Sequence, residues 1–188
     1  MSTFLNRLAR AALVALLVAS VAAPAHAASR LPSEKHWRKD VSRAMSGSRG
    51  YLRDVVAVGG GPFAINLDID NTSLATHYRP GSPVLAVRAF ARFAHQHDIA
   101  VMFNTGRLQS HLKSARTQLR KAGFPITEMC GRSSRSETLD QSKPRCREQF
   151  VSEGYTIIAN VGNNPTDFSG VDDYGRAFRL PNYGGRLG

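Results

Sequence analysis

Acid is scarce in this chain: 14 Asp and Glu stand against 25 Lys and Arg in 188 residues. A surface this basic favours anionic partners such as phosphate esters, nucleic acid, acidic envelope polymers or anionic lipid headgroups, without choosing among them. Aromatics are few, at 8 %, and are not interleaved with the basic residues, so a stacking platform for specific nucleic-acid binding is not expected. The two cysteines, Cys130 and Cys146, are too sparse for a zinc site, which normally takes four ligands. In an exported protein an even count invites one disulfide, worth about 3 kcal/mol for a loop of this size, with two separate thiols as the alternative. His77, His95, His97 and His111 offer no close-spaced ligand pair at a strand end. His95 and His97 stand two apart on a helix and so face different ways. The run Gly59-Gly60-Gly61-Pro62 lacks the following Lys-Ser/Thr of a phosphate-binding loop and reads as a linker.

After residue 27 no run is long and apolar enough to cross a membrane. Before it, Arg7 and Arg10 precede an apolar stretch from Ala11 to Ala23, and Ala25-His26-Ala27 supplies the small-x-small pattern of a signal-peptidase site. Residues 1–27 are therefore expected to be a signal peptide, with a mature start at Ala28, secretion or delivery to the cell envelope, and no stable membrane insertion after cleavage. Loss of Arg7 and Arg10 leaves a positive excess of nine. The remaining length suits one domain, read as a helical extension over 28–62 and a main domain over 63–188.

Ser33 to Met45 is expected to form a helix capped by Ser33, with Trp37, Val41 and Met45 on one face. Ser46 to Gly50 interrupts it, and Tyr51 to Val58 resumes an apolar pattern. Helices follow over Ser82-Pro83 to Gln96, with Ser82 and Pro83 as cap and first residue, and over Leu108–Lys121 and Ser142–Glu153. Between them lie apolar strands, Phe63 to about Asp70, Ile99–Phe103 and Tyr155–Val161, with shorter ones in Pro125–Arg132 and Ala177–Leu180. Strands alternating with helices imply an α/β fold with a parallel sheet covered on both faces and right-handed crossovers. The connections are too short for a large cap domain.

The strand Phe63-Ala-Ile-Asn-Leu ends in Asp68-Ile69-Asp70-Asn71-Thr72, at the carboxyl edge where open α/β sheets bind ligands. Two carboxylates two residues apart address one side if the strand persists through Asp70. That suits a nucleophile with an acid/base beside it, or a cation site. The other long strands end in Asn104-Thr105-Gly106-Arg107 and in Gly162-Asn163-Asn164-Pro165-Thr166-Asp167, at the same edge.

Together these residues resemble the haloacid dehalogenase (HAD) superfamily of phosphatases. Asp68-Ile69-Asp70-Asn71-Thr72 looks like its first motif, Thr105 like its second, Lys143 like its third and Gly162 to Asp167 like its fourth. Thr105-Gly106-Arg107, Lys143 with Arg147, Gly154-Tyr155-Thr156-Ile157 and Arg176-Ala177-Phe178-Arg179-Leu180-Pro181-Asn182 are similar to the secreted acid phosphatase group, subfamily IIIB, that includes plant vegetative storage proteins. The likeness implies a Rossmann-like fold and a phosphomonoesterase. Asp68 is implied as nucleophile, Asp70 as acid/base, Thr105 as hydrogen-bond donor to the phosphoryl group and Lys143 as its counter-charge, with Gly106, Arg107 and Arg147 near the substrate. It also implies Mg²⁺, held by Asp68, Asp70 and Asn163 with Asp167 behind. The family usually has Asp where this chain has Asn163, a departure that removes one charge from the cation site. His77 and Tyr78 follow the first motif closely enough to touch substrate. The expected partner is a small phosphate ester, with a homo-oligomer left open. The alternative is a storage-type protein of the same fold that binds phosphate esters or polyanions and turns over little.

Overall fold

The computed structural model describes residues 30–187, and the expected signal peptide lies outside them. From Leu31 onward the chain forms one compact unit. The elements are α1 (Glu34–Ala44), α2 (Ser48–Val58), β1 (Phe63–Leu67), α3 (Leu85–Gln96), β2 (Ala100–Leu108), α4 (Leu112–Lys121), β3 (Glu128–Arg132), α5 (Leu139–Ser152), β4 (Thr156–Gly162) and β5 (Arg176–Arg179). The five strands form one sheet in the order β3-β2-β1-β4-β5, and every pairing is parallel. Strand order reverses between β1 and β4, so a doubly wound sheet of this kind opens its crevice where those two strands end.

The two sheet faces differ in thickness. On one, Ile65, Leu67, Val101, Phe103 and Val161 join Trp37, Leu52, Phe90 and Leu119 in the main core. On the other, Ala64, Met102, Cys130 and Ile157 meet Cys146 and Phe150 of α5, with Tyr155 and Tyr174 packed against them. The extension is part of the main core. Ser33 caps α1 by accepting the His36 N–H, Trp37 is fully buried, and the Tyr78 ring stacks on it at 4.9 Å. A buried tryptophan typically contributes about 3–5 kcal/mol relative to alanine. The Cys130–Cys146 disulfide ties β3 to α5 across a sequence separation of 16.

Several boundaries differ from the sequence reading: α2 already starts at Ser48, α4 starts only at Leu112, β1 ends at Leu67, and three further differences have a visible physical reason. Helix α3 starts at Leu85, because Ser82, Pro83 and Val84 pair with the loop after β1: Ala75 N–H donates to Ser82 O and Val84 N–H to Ser73 O. That pairing outcompetes the cap. Strand β2 runs on to Leu108, which regains register with Arg132 of β3 after a shift past Thr105. Helix α5 starts at Leu139, set by a reciprocal box in which Thr138 and Gln141 each satisfy the other's backbone N–H.

Candidate active site

At the carboxyl edge, Asp68, Asp70, Gly106, Lys143 and Asp167 line a pocket of about 250 Å³, together with Arg132, Leu139, Asn164, Thr166 and Leu187. A larger cavity of about 610 Å³ lies between the α1–α2 turn and α3, but its lining has arginines and serines and no carboxylate. Chemistry rather than size marks the site.

Lys143 organises the pocket floor. It is 3 % exposed, and its Nζ donates to Asp68 Oδ1 at 2.7 Å, to Asp167 Oδ1 at 2.6 Å and to the Asn104 carbonyl at 2.8 Å, which uses all three ammonium hydrogens. Asn104 answers by donating its side-chain amide to the Lys143 carbonyl, so the strand end and the helix are locked to each other. Burial first, then the Asp167 charge, pushes the Asp68 carboxyl up to about 7 against the pull of Lys143. Burial pulls Lys143 down, but its two carboxylate partners outweigh that and hold it above the usual lysine range.

Strand β1 ends at Leu67, earlier than the same-face argument requires, and Asp70 lies in the following turn. Both carboxylates nevertheless reach the pocket, because Ile69 O accepts from Ser73 and Leu74 N–H and curls the loop back over the strand end. Asp70 is held by Arg107, whose Nε donates to Oδ2 at 2.9 Å and Nη2 to Oδ1 at 2.7 Å, and by the Thr76 hydroxyl. Burial raises Asp70, but these hydrogen bonds and the Arg107 and Lys143 charges bring it below its ordinary value.

Thr105 is fully buried beside Gly106, and its hydroxyl accepts the Arg107 N–H at 3.2 Å, leaving its own hydrogen to donate. Gly162 has no alternative: a Cβ there would fall within the Asp167 carboxylate. Asp167 spends both oxygens, one on Lys143 and the other on the Asn164 N–H at 2.9 Å. Asn163 is 4 % exposed; its Oδ1 accepts the Thr72 hydroxyl and its Nδ2 donates to the Leu187 carbonyl.

The structure places Arg147 away from the pocket, where the sequence reading expects it near substrate. It is fully buried, paired with Asp173, donating to the Asp167 and Ser169 carbonyls and lying over the Tyr174 ring. It holds the backbone of the fourth motif from behind. His77 and Tyr78 do not line the pocket either: His77 N–H caps Asn71 Oδ1, and Tyr78 donates its hydroxyl to Pro32 O. Asn66, which bonds Asn160 across β1 and β4, escapes the sequence reading, as do Arg132, Leu139, Thr166 and Leu187.

The donor set fits a hard divalent cation. All candidate ligands are oxygens, of Asp68, Asp70 and Asn163. Three carboxylates, Asp68, Asp70 and Asp167, stand among three cations, Lys143, Arg107 and Arg132. Among the described residues no three His, Cys, Asp or Glu side chains cluster as a metal site, and the Asn163 oxygen is engaged by the Thr72 hydroxyl.

The family model for HAD superfamily subfamily IIIB (acid phosphatase) matches residues 79–186, a span that holds Thr105, Lys143, Asn163 and Asp167 but begins after Asp68 and Asp70. The class C acid phosphatase from Bacillus anthracis is similar in fold, with a TM-score of 0.65, 16 % identity and 80 % of each chain covered. Its tungstate-bound structure gives 0.65, 14 % identity and coverage of 81 % of this chain and 80 % of that one. None of the curated proteins matches the sequence. With more than half its length fitted by that family model, and its ordered strand-end residues gathered on one lysine, the chain belongs to the subfamily IIIB acid phosphatases of the HAD superfamily, phosphatases acting on phosphomonoesters.

Proposed function

We propose that the protein is an exported, Mg²⁺-dependent phosphomonoesterase that works through an aspartyl-phosphate at Asp68. The observation that carries this reading is the position of Asp68, held by Lys143 through one oxygen while no hydrogen bond within the described residues engages the other. A carboxylate fixed in this way is oriented to attack phosphorus, forming the Oδ–P bond as the ester P–O bond breaks, which divides one difficult step into two.

Asp70, which Arg107 and Thr76 hold below its ordinary value, would serve as acid/base once substrate draws those partners away, giving a proton to the leaving alkoxide and then taking one from the water that hydrolyses the phosphoaspartate, a role worth about 10²- to 10⁴-fold. Lys143 spreads positive charge over the nucleophile and the phosphoryl oxygens, and Thr105 donates its hydroxyl hydrogen to one of them. Arg107 is tied to Asp70, with Nη1 on Gln118, so an incoming phosphate has to compete with a carboxylate for the guanidinium. Asp68, the Asp70 carbonyl and Asn163 would hold the cation, with Asp167 behind them. When bound, the cation supplies charge neutralisation between carboxylate and phosphate dianion.

Export is supported by the leader pattern at residues 1–27 and by the disulfide, which suits an oxidising compartment. No helix among the described residues is long and apolar enough to cross a membrane.

The test is Asp68→Asn in the mature protein with Mg²⁺, assayed for phosphate release on a broad ester panel at acidic and neutral pH. Turnover is expected to vanish while phosphate-mimic binding persists. A wild type with no turnover on any ester rejects the reading and leaves the storage-type alternative, which the engaged side chain of Asn163 favours.

A further inference from the structure

Arg107, Arg145 and Arg147 are each answered by an acid, Asp70, Glu137 and Asp173 in that order. Arg132 is not. At the end of β3 its Nε donates to the Gly106 carbonyl at 2.8 Å and its Nη1 to the Glu137 carbonyl at 3.3 Å, while Nη2 makes no hydrogen bond among the described residues. The Glu137 carboxylate is itself taken by Arg145 and Ser133. Two neutral oxygens therefore fix the Arg132 fork and leave its charge uncompensated.

The guanidinium, and not only the backbone of this residue, belongs to the catalytic pocket. Arg132 and Gly106 both line it, and the bond from Nε holds the fork against the carbonyl of the residue that follows Thr105. Arg132 is partly exposed, so a ligand can meet it without a buried cation having to be uncovered. Of its five N–H donors it spends two. The other three are carried by Nη1 and Nη2, the pair that grips a carboxylate or phosphate through two parallel bonds. Its neighbours are in the opposite state: Lys143 has spent all three hydrogens, and Arg107 has Nε and Nη2 on Asp70 and Nη1 on Gln118.

We propose that Arg132 is a specificity-determining residue that binds a second anionic group of the substrate, so that the preferred phosphomonoesters carry a carboxylate or a further phosphate close to the ester oxygen. The inference rests on the phosphatase reading above and names a substrate class for it. The phosphoryl group belongs to Asp68, Thr105 and Lys143, and Arg132 meets the site at Gly106, next to Thr105, so both anions fit one pocket of about 250 Å³. Lys143 and Arg132 are the two cations of the lining, and Arg132 is the one that no acid has taken. A second negative charge is therefore drawn to it, and a neutral group is not.

The experiment uses the full chain at a fixed free Mg²⁺ concentration. It compares kcat/KM for phosphoglycolate and for its neutral amide, beside calorimetric binding of phosphonoacetate and of phosphonoacetamide. The wild type is expected to favour the carboxylate over the amide on the order of tenfold in both measurements. Arg132→Gln, which removes the charge, should bring the ratio close to one. Arg132→Lys, which keeps the charge and loses the fork, should lower it by less, and it stands in for the glutamine variant if that one does not fold. A general disturbance of the phosphoryl site lowers acid and amide together and cancels in the ratio. A wild type indifferent to the carboxylate overturns the proposal, and so does a preference that the variants leave unaltered. Selective phosphonoacetate binding that Arg132→Gln abolishes, in a wild type that hydrolyses no ester, keeps the anion site and removes the phosphatase reading. Turnover without preference removes the role of Arg132 alone.

Discussion

The loop after β1 and the loop after β4 each bring one carboxylate, Asp68 and Asp167, to the same lysine, and each carries a second polar residue, Asp70 and Asn163, yet the two loops leave these groups in different states. After β1, Asp68 keeps one oxygen unengaged and the Asp70 side chain is 37 % exposed. After β4, Asp167 has spent both oxygens and Asn163 has spent both ends of its amide. Two motifs that look alike in sequence, each a short run with a pair of acid-type residues, therefore divide the work. The first loop leaves one Asp68 oxygen open to a ligand while Arg107 and Thr76 hold Asp70, and the second has used its groups to fix the lysine, the helical turn that starts at Pro165 and the segment ending at Leu187.

The most forceful way to break this contrast is to remove the lysine both loops share. Lys143→Met leaves Asp68 and Asp167 buried without their counter-charge, and stability at neutral pH should fall by about 3–5 kcal/mol. The pH dependence gives the sign. The Asp68 carboxyl is raised from 3.8 to about 7 in the folded wild type, so between those values the folded protein holds a proton that the unfolded chain has released. Metal-free stability therefore decreases as pH rises through that window. In Lys143→Met the decline should steepen and extend further upward, because the attraction that opposed burial is gone. Urea midpoints at pH 4, 5.5, 7 and 8 measure both slopes, and parallel curves for the two proteins would refute the account.

A smaller effect separates the two arginines. Arg147→Lys swaps a planar fork for a single ammonium and strands at least one buried carbonyl among those of Asp167 and Ser169, a loss of about 1–3 kcal/mol. Arg107→Lys changes a partly exposed group and should move stability much less while raising KM. Paired denaturation and kinetic curves decide the assignment. If Arg147→Lys left stability untouched and altered KM alone, the direct substrate role read from sequence would be restored.

That arginine shows where legibility in the sequence stopped. Lys143 and Arg147 are four apart, so one helix face was readable, but only the fold reveals that one turn reaches the strand ends while the next meets the chain around Asp173. Asp68, Thr105 and Lys143 were readable because apolar strands end in polar residues and a doubly wound sheet gathers those ends. The true start of α5 is also written in the sequence, as Thr138 followed three residues later by Gln141, a capping box that lies ahead of the expected start at Ser142. Ser82-Pro83 illustrates the opposite case: a good local cap signal lost to pairing with residues 73–75, which no window around it contains. Leu187 and Arg132 had no periodic signal, since each reaches the pocket from an irregular segment or a strand edge.

The finest test addresses residue 163, where two demands conflict. Asn163→Asp adds a negative charge to the proposed oxygen donor set, and cation affinity in such sites rises with the number of charged ligands, so Mg²⁺ binding by calorimetry should tighten on the order of tenfold. The same substitution removes one of the two amide donors to the Leu187 carbonyl, the other being Asn71 Nδ2, and sets a carboxylate oxygen against it. Hydrogen exchange at the Leu187 amide, which bonds Asn182 O, should then quicken in the metal-free variant. The two readouts are independent. Tighter Mg²⁺ with unchanged exchange would mean that Asn71 alone secures the segment, and faster exchange with unchanged affinity would remove residue 163 from the cation site. Only both together show the amide as a compromise in which a weaker metal site accompanies a tethered C-terminal segment.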